Sequence, residues 1–281
     1  MTPLVATAVL LAAVTHAGWN ALAHHIPDKL VGFTLISGGG MLIGLAAMPF
    51  TPLPAAGAWP YLFSSAAIHM AYYALLMRSF RLGDFGQAYP IARGTAPLVV
   101  TVLAAVFAHE VPDGWAATGV AVSCAGLTGV ALWGLRGRRP NWAALGAAVA
   151  TGLTIAAYTV VDGLGVRASG TSLGYIAWLM AVQGVVIPAY AAWRWRSDAV
   201  AVLRPHAALG LLGAALSVAA YALVLWAQTR AALAPIAALR ESSIIVGAAI
   251  GAVFFKERFG APRIVAAALV VAGIGLMLRA G

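Results

Sequence analysis

Two arginines and a glutamate stand inside apolar runs of this chain. Arg93 lies in YPIARGTAP (Tyr89–Pro97), and Arg240 and Glu241 lie in PIAALRESS (Pro235–Ser243). A guanidinium matches carboxylate or phosphonate oxygens in a bidentate way, while a carboxylate can bind an amine or take up a coupling proton. The chemistry within reach is therefore recognition of an anion or a zwitterion. A structural ion pair is the plainer alternative. Glu241 cannot easily serve its own neighbour Arg240, because adjacent helical residues point about 100° apart, but it could reach Arg93 from another helix.

Further polar and aromatic residues are candidates to line the same cavity. His16 and Asn20 share a helical face with Trp19 beside them, and His24 extends that face. His16 could carry a proton, although a hydrogen bond between helices is the more ordinary reading. Tyr72, Tyr73, Tyr158, Tyr175, Trp178, Tyr221 and Trp226 fall in mid-span, whereas Trp59, Trp115, Trp142 and Trp193 fit interfacial belts. Tyr158 and Asp162 share a face, with Asp162 near a span end and read as solvated. Pro90, Gly94, Pro97 and Pro235 surround the arginines as candidate hinges. Pro97 would remove the helical hydrogen bond to residue 93, as either a substrate-coordinating break or a packing kink.

Other chemistries lack their residues. HEVPD (His109–Asp113) is not a zinc-protease motif, no nucleophile elbow or phosphate-binding glycine loop occurs, and no Cys/His cluster has metal spacing. The chain is expected to be no enzyme and to need no cofactor or metal. Cys124, the single cysteine, reads as a packing residue.

The elements that must position these groups are membrane helices. The chain is 62% hydrophobic and 9% charged over 281 residues, with a mean hydropathy of +0.92. That places the fold class as all-α, polytopic and lipid-embedded. Breaking the sequence at charges and Pro/Gly turns gives ten transmembrane spans: 3–23, 30–50, 58–79, 86–108, 113–135, 141–164, 171–193, 206–227, 232–255 and 261–279. Met1-Thr2-Pro3 lacks the positive region of a secretory signal, so the first run is read as a retained span. Arg93 and Arg240 then lie roughly 12–14 Å deep at 1.5 Å per residue, too deep to snorkel. The formal charge of +9 sits in short connections rather than on a basic stripe, which argues against a nucleic-acid partner.

The sequence repeats at an offset of 147 residues, the separation of Arg93 from Arg240. Each arginine is followed sixteen residues on by a basic residue and a glutamate, His109-Glu110 and Lys256-Glu257. Ala125-Gly126 returns at Ala272-Gly273, while YAL (73–75) and PIA (90–92) return at 221–223 and 235–237, with small offsets absorbed by loops. Two five-helix repeats, 1–137 and 138–281, are implied. An odd number of helices per repeat inverts the second copy. Loop charge agrees: Lys29, Arg78, Arg81, Arg136, Arg138, Arg139, Arg194, Arg196, Arg204, Lys256, Arg258 and Arg263 fall on one face. Only Arg167, Arg230 and Arg279 fall on the other. The positive-inside rule then puts both termini outside. Small residues at fourfold spacing (Ser243, Gly247 and Gly251; Ala121, Ala125 and Gly129; Gly40 and Gly44) suit close helix packing or a homodimer contact. Monomer and homodimer both stay open.

Ten short spans, the five-plus-five repeat and GAVFFKERFG (Gly251–Gly260) resemble the drug/metabolite transporter (DMT) superfamily, EamA type. YPIARGTAPL and ALRESS are similar to a subgroup associated with phosphonate utilisation. The resemblance implies a secondary carrier in the cell (inner) membrane, often an exporter of amino acids or other small metabolites. With the deep charges, the expected function is export of small anionic or zwitterionic metabolites by alternating access, with a small-molecule substrate, the bilayer and proton coupling as partners. A lipid-modifying intramembrane enzyme, a non-transporting accessory subunit and a carrier of phosphonates or cationic drugs are the alternatives.

Overall fold

The computed structural model describes residues 1–82, 85–133, 141–246 and 261–279. The expectations resting on Arg136–Pro140, on Gly247 and on Gly251–Gly260 with its Lys256 and Glu257 lie outside the described residues, as do the side chains of His24 and Pro90.

Helices account for the described fold, and no strand occurs among the described residues. They are α1 (Pro3–His25), α2 (Lys29–Ala47), α3 (Trp59–Leu82), α4 (Phe85–Phe107), α5 (Gly114–Trp133) and α6 (Trp142–Ala168). The second half continues with α7 (Ser172–Gln183), α8 (Val186–Trp195), the short α9 (Ala199–Leu203), α10 (Ala207–Gln228), α11 (Leu233–Arg240) and α12 (Ala261–Arg279).

Short polar residues start several of them. Asp28 Oδ1 accepts the Leu30 and Val31 N–H groups at 2.8 and 3.4 Å, and Asp113 Oδ1 accepts that of Ala116 at 2.7 Å. Thr171 Oγ1 accepts from Gly174 at 3.1 Å. These bonds satisfy amides that have no intrahelical partner. At the far end of α4, His109 adopts a left-handed φ of 56°, and the Glu110 N–H returns to the Ala104 carbonyl at 3.1 Å. That closes the helix in the manner usually assigned to glycine.

The expected span 171–193 is two helices, α7 and α8, parted at Gly184–Val185. Pro188 has no N–H to return to the Gly184 carbonyl. Ser37 Oγ of α2 donates to that carbonyl instead, at 3.4 Å.

Two compact units divide the chain. The first comprises Met1–Leu10, Ala71–Val161 and Arg230–Gly281, and the second Leu11–Met70 and Asp162–Thr229. Each draws on both sides of the sequence midpoint. In the first unit α5 packs along α12, and α4 packs against α5 and α11. The α5–α12 seam is built from glycines: a Cβ on Gly119 would sit 2.5 Å from the Gly273 carbonyl oxygen, and one on Gly126 2.9 Å from Leu269 Cβ. In the second unit α2 packs against α7, α8 and α10. There a Cβ on Gly44 would sit 2.6 Å from the Ala177 carbonyl oxygen. Small residues thus let backbones touch, as lipid-embedded packing favours.

Three bonds join separate connections within a unit. Ala55 N–H donates to Ser169 O at 3.0 Å, Leu233 N–H to Glu110 Oε2 at 2.7 Å, and Asn141 Nδ2 to Leu82 O at 2.7 Å. Each joins two connections that loop charge assigns to one face.

Candidate functional site

In the first unit the deep charges meet. Arg93 projects from α4 and Glu241 from the end of α11, with Arg93 Nε and Glu241 Oε2 2.8 Å apart. Arg93 Nη2 also donates to Ser243 Oγ at 3.1 Å and to the Arg240 carbonyl at 3.4 Å. Arg93, Arg240 and Glu241 are 2%, 4% and 0% exposed. Packing places them: Gly94 presses α4 on Leu127 of α5, and Ala238, one turn before Glu241, packs with Val120, Cys124 and Met277.

The backbone around the two arginines differs. α4 is helical through Pro90, Gly94 and Pro97. Pro235 sits in the first turn of α11, where a missing N–H costs nothing. The chain loosens at residues 240–242 instead. Glu241 and Ser242 bond back to Ala238 and Leu239, and Ile244 N–H bonds Glu241 O at 3.0 Å rather than Arg240 O. These three-residue steps tighten the helix, and the Arg240 carbonyl accepts from Arg93. Two guanidiniums and one carboxylate leave an excess positive charge in a buried place, which an anion would offset.

Tyr72, Tyr73 and Tyr158 form a second group in this unit. Their ring centroids lie 5.1 Å apart for Tyr72–Tyr73 and 5.6 Å apart for Tyr72–Tyr158.

The remaining candidates belong to the second unit. Trp19 Nε1 donates to His16 Nδ1 at 3.2 Å, and Asn20 Nδ2 to the His16 carbonyl at 2.9 Å. Trp178 packs edge-on against Trp59 with centroids 5.0 Å apart. Tyr221 donates to Asp162 Oδ2, and Tyr175 to Asp162 Oδ1 at 3.1 Å. Asp162 has no exposed surface, contrary to its reading as a solvated residue, because α6 runs on to Ala168 past the expected span end. Sequence reasoning also passed over His69, which is buried with its ring edge-on to Tyr221 at 5.6 Å. A buried carboxylate in an apolar helix is itself the available signal.

Four helical stretches are long and apolar enough to cross a membrane, at 3–23, 29–50, 142–168 and 172–228, among the described residues. Residues 3–132 match the model of the EamA-like transporter family. Over those residues, a little under half of the chain, the sequence is similar to that family, which is part of the DMT superfamily. The apolar helices, together with this likeness, point to a multi-pass membrane protein. No curated protein matches the sequence. A solved structure described only as "Crystal structure of protein" is 17% identical, with a TM-score of 0.74 over 97% of this chain and 98% of that one. At that identity it shows the fold alone.

Proposed function

We propose that the chain is a secondary exporter of small anionic or zwitterionic metabolites such as amino acids, working by alternating access around Arg93, Arg240 and Glu241. The observation that carries this reading is the buried Arg93–Glu241 pair, with a second buried arginine, Arg240, next to Glu241 in the chain. Arg93 and Arg240 bind substrate carboxylate or phosphonate oxygens, and Glu241 receives a substrate amine. The ten-helix, inverted-repeat plan is part of the same proposal. It is supported by α2 packing on α7, α4 on α11 and α5 on α12, each pairing a helix with its expected counterpart. In such a plan the substrate site lies between the repeats near the midplane.

Arg240→Ala leaves the Arg93–Glu241 pair in place, which makes it the informative variant. Purified protein should gain thermal stability from amino acids or phosphonates, and Arg240→Ala should lose that gain while keeping its unliganded melting point within a few degrees. Stabilisation by cationic drugs alone would refute the reading.

A further inference from the structure

We propose that Asp162, with Tyr175, Tyr221 and His69, is the proton-binding site of the transport cycle; this rests on the transporter reading but not on the anion site. Four helices bring the group together within the second unit. Asp162 comes from α6, Tyr175 from α7, Tyr221 from α10 and His69 from α3. Both carboxylate oxygens accept phenol hydrogens, and neither Asp162 nor Tyr175 has exposed surface. Leu62, Val166, Leu179 and Leu225 pack around Tyr175. A carboxylate so enclosed can be reached by a proton passed along hydrogen bonds, not by a hydrated ion or an organic cation.

The neighbours suit a group that changes charge. A phenol both donates and accepts, so Tyr221 can donate to the carboxylate and accept from the carboxylic acid. His69 Nδ1 lies 2.9 Å from the Ser65 carbonyl, which can only accept. The proton of the neutral ring is therefore on Nδ1, and Nε2 is the basic nitrogen. The other ionisable groups facing Asp162 are few, and Tyr158, four residues before it on the same face of α6, is one of them. α6 carries Arg167 five residues on, its Nε donating to the Gln228 carbonyl at 2.7 Å, and α3 carries Tyr61, whose Cβ lies against Gly165. α7 and α10 hold no ionisable residue besides Tyr175 and Tyr221. The step balances simply: one proton joins the Asp162 carboxylate, and the same proton leaves on the other side of the membrane.

Infrared titration of the purified protein tests the site without any substrate. The carbonyl stretch of a buried carboxylic acid should appear as pH is lowered. It should vanish in Asp162→Asn and persist in Glu241→Gln. Tyr221→Phe and Tyr175→Phe each remove a donor to the charged form and should move the transition to higher pH, which serves also if Asp162→Asn fails to fold. A band unchanged in Asp162→Asn, or a transition unmoved by both phenylalanines, overturns the proposal. In liposomes with an entrapped pH dye, a mixture of labelled amino acids should drive proton movement through the wild type. Asp162→Asn should exchange those amino acids without moving protons; proton movement in that variant again overturns it. A wild type that ignores amino acids but shows the Asp162 band refutes the substrate reading and leaves the proton site standing.

Discussion

Arg93 donates from Nη2 to the main-chain carbonyl of Arg240, 3.4 Å away and 147 residues along the chain. Ser37 and the Gly184 carbonyl stand in the same relation, at 3.4 Å and again 147 residues apart. Both acceptors lie where a helix has given up its own bond, after Gly184 because of Pro188 and at Arg240 because Ile244 turns to Glu241. A side chain at one position thus satisfies a broken helix at the matching position one offset on. A buried carbonyl left without a donor costs about 1–3 kcal/mol, so each bond stabilises the break it caps.

Arg93→Ala strands Glu241 as a buried charge. Removing one partner of a buried pair costs about 3–5 kcal/mol. The Arg93→Ala/Glu241→Ala double variant should recover much of that loss, as measured by thermal unfolding in detergent. Equal melting points for the single and double variants would show that Glu241 is not stranded when Arg93 is removed.

Ser37→Ala should destabilise by about 1 kcal/mol by leaving the Gly184 carbonyl without its hydroxyl. Pro188→Ala restores an N–H four residues on. Because Pro188 also packs on Gly38, that substitution has its own cost, and the informative quantity is the coupling. The two changes together should cost less than their sum in a double-mutant cycle.

Glycine substitutions should differ in sign by position. Gly119→Ala places a Cβ against the Gly273 carbonyl and Met277, costing about 1–3 kcal/mol by overpacking. Gly146 in α6 meets nothing within 4 Å, so Gly146→Ala should gain up to about 1 kcal/mol from helix propensity. Melting curves of both variants give the comparison.

His109 is exposed and holds a left-handed backbone. His109→Gly should stabilise by up to about 1 kcal/mol, since glycine adopts that conformation without a Cβ clash. An unchanged or lower melting point would contradict this account of how α4 ends.

Sidedness can be read by thiol labelling in a Cys124→Ala background, the native thiol being buried. With both termini outside, Val111→Cys should react with an impermeant maleimide on intact cells. Ser197→Cys, in the connection after α8, should react only after permeabilisation. The reverse pattern would invert the proposed topology.

Much of this arrangement is legible in the sequence because charge is so rare in the chain. Arg93, Arg240 and Glu241 stood out against apolar runs, and the 147-residue offset marked two of them as counterparts. Apolar runs of spanning length mark where helices lie, although the run at 171–193 is broken into α7 and α8. What escaped were features set by neighbours. Asp162 looked solvated because the span was ended early at 164, whereas α6 continues to Ala168 and two phenols from distant segments close over the carboxylate. His69 carries no spacing signal, since its partners are Ser65 one turn away and Tyr221 far along the chain. Pro97 suggested a break beside Arg93, yet α4 is helical there and the looser turn is at Glu241–Ser242, which no proline marks.

The glycine seam between α5 and α12 also bears on biogenesis. α12 leaves the ribosome only after α6 to α11, a lag on the order of 10 s at about 5–20 residues per second. Throughout that interval the Gly119–Gly126 face of α5 has no helix against it, in a bilayer crowded with other nascent spans. Accurate assembly therefore requires that face to stay unpaired until its own partner arrives, and any change that slows synthesis of the second half lengthens the exposure.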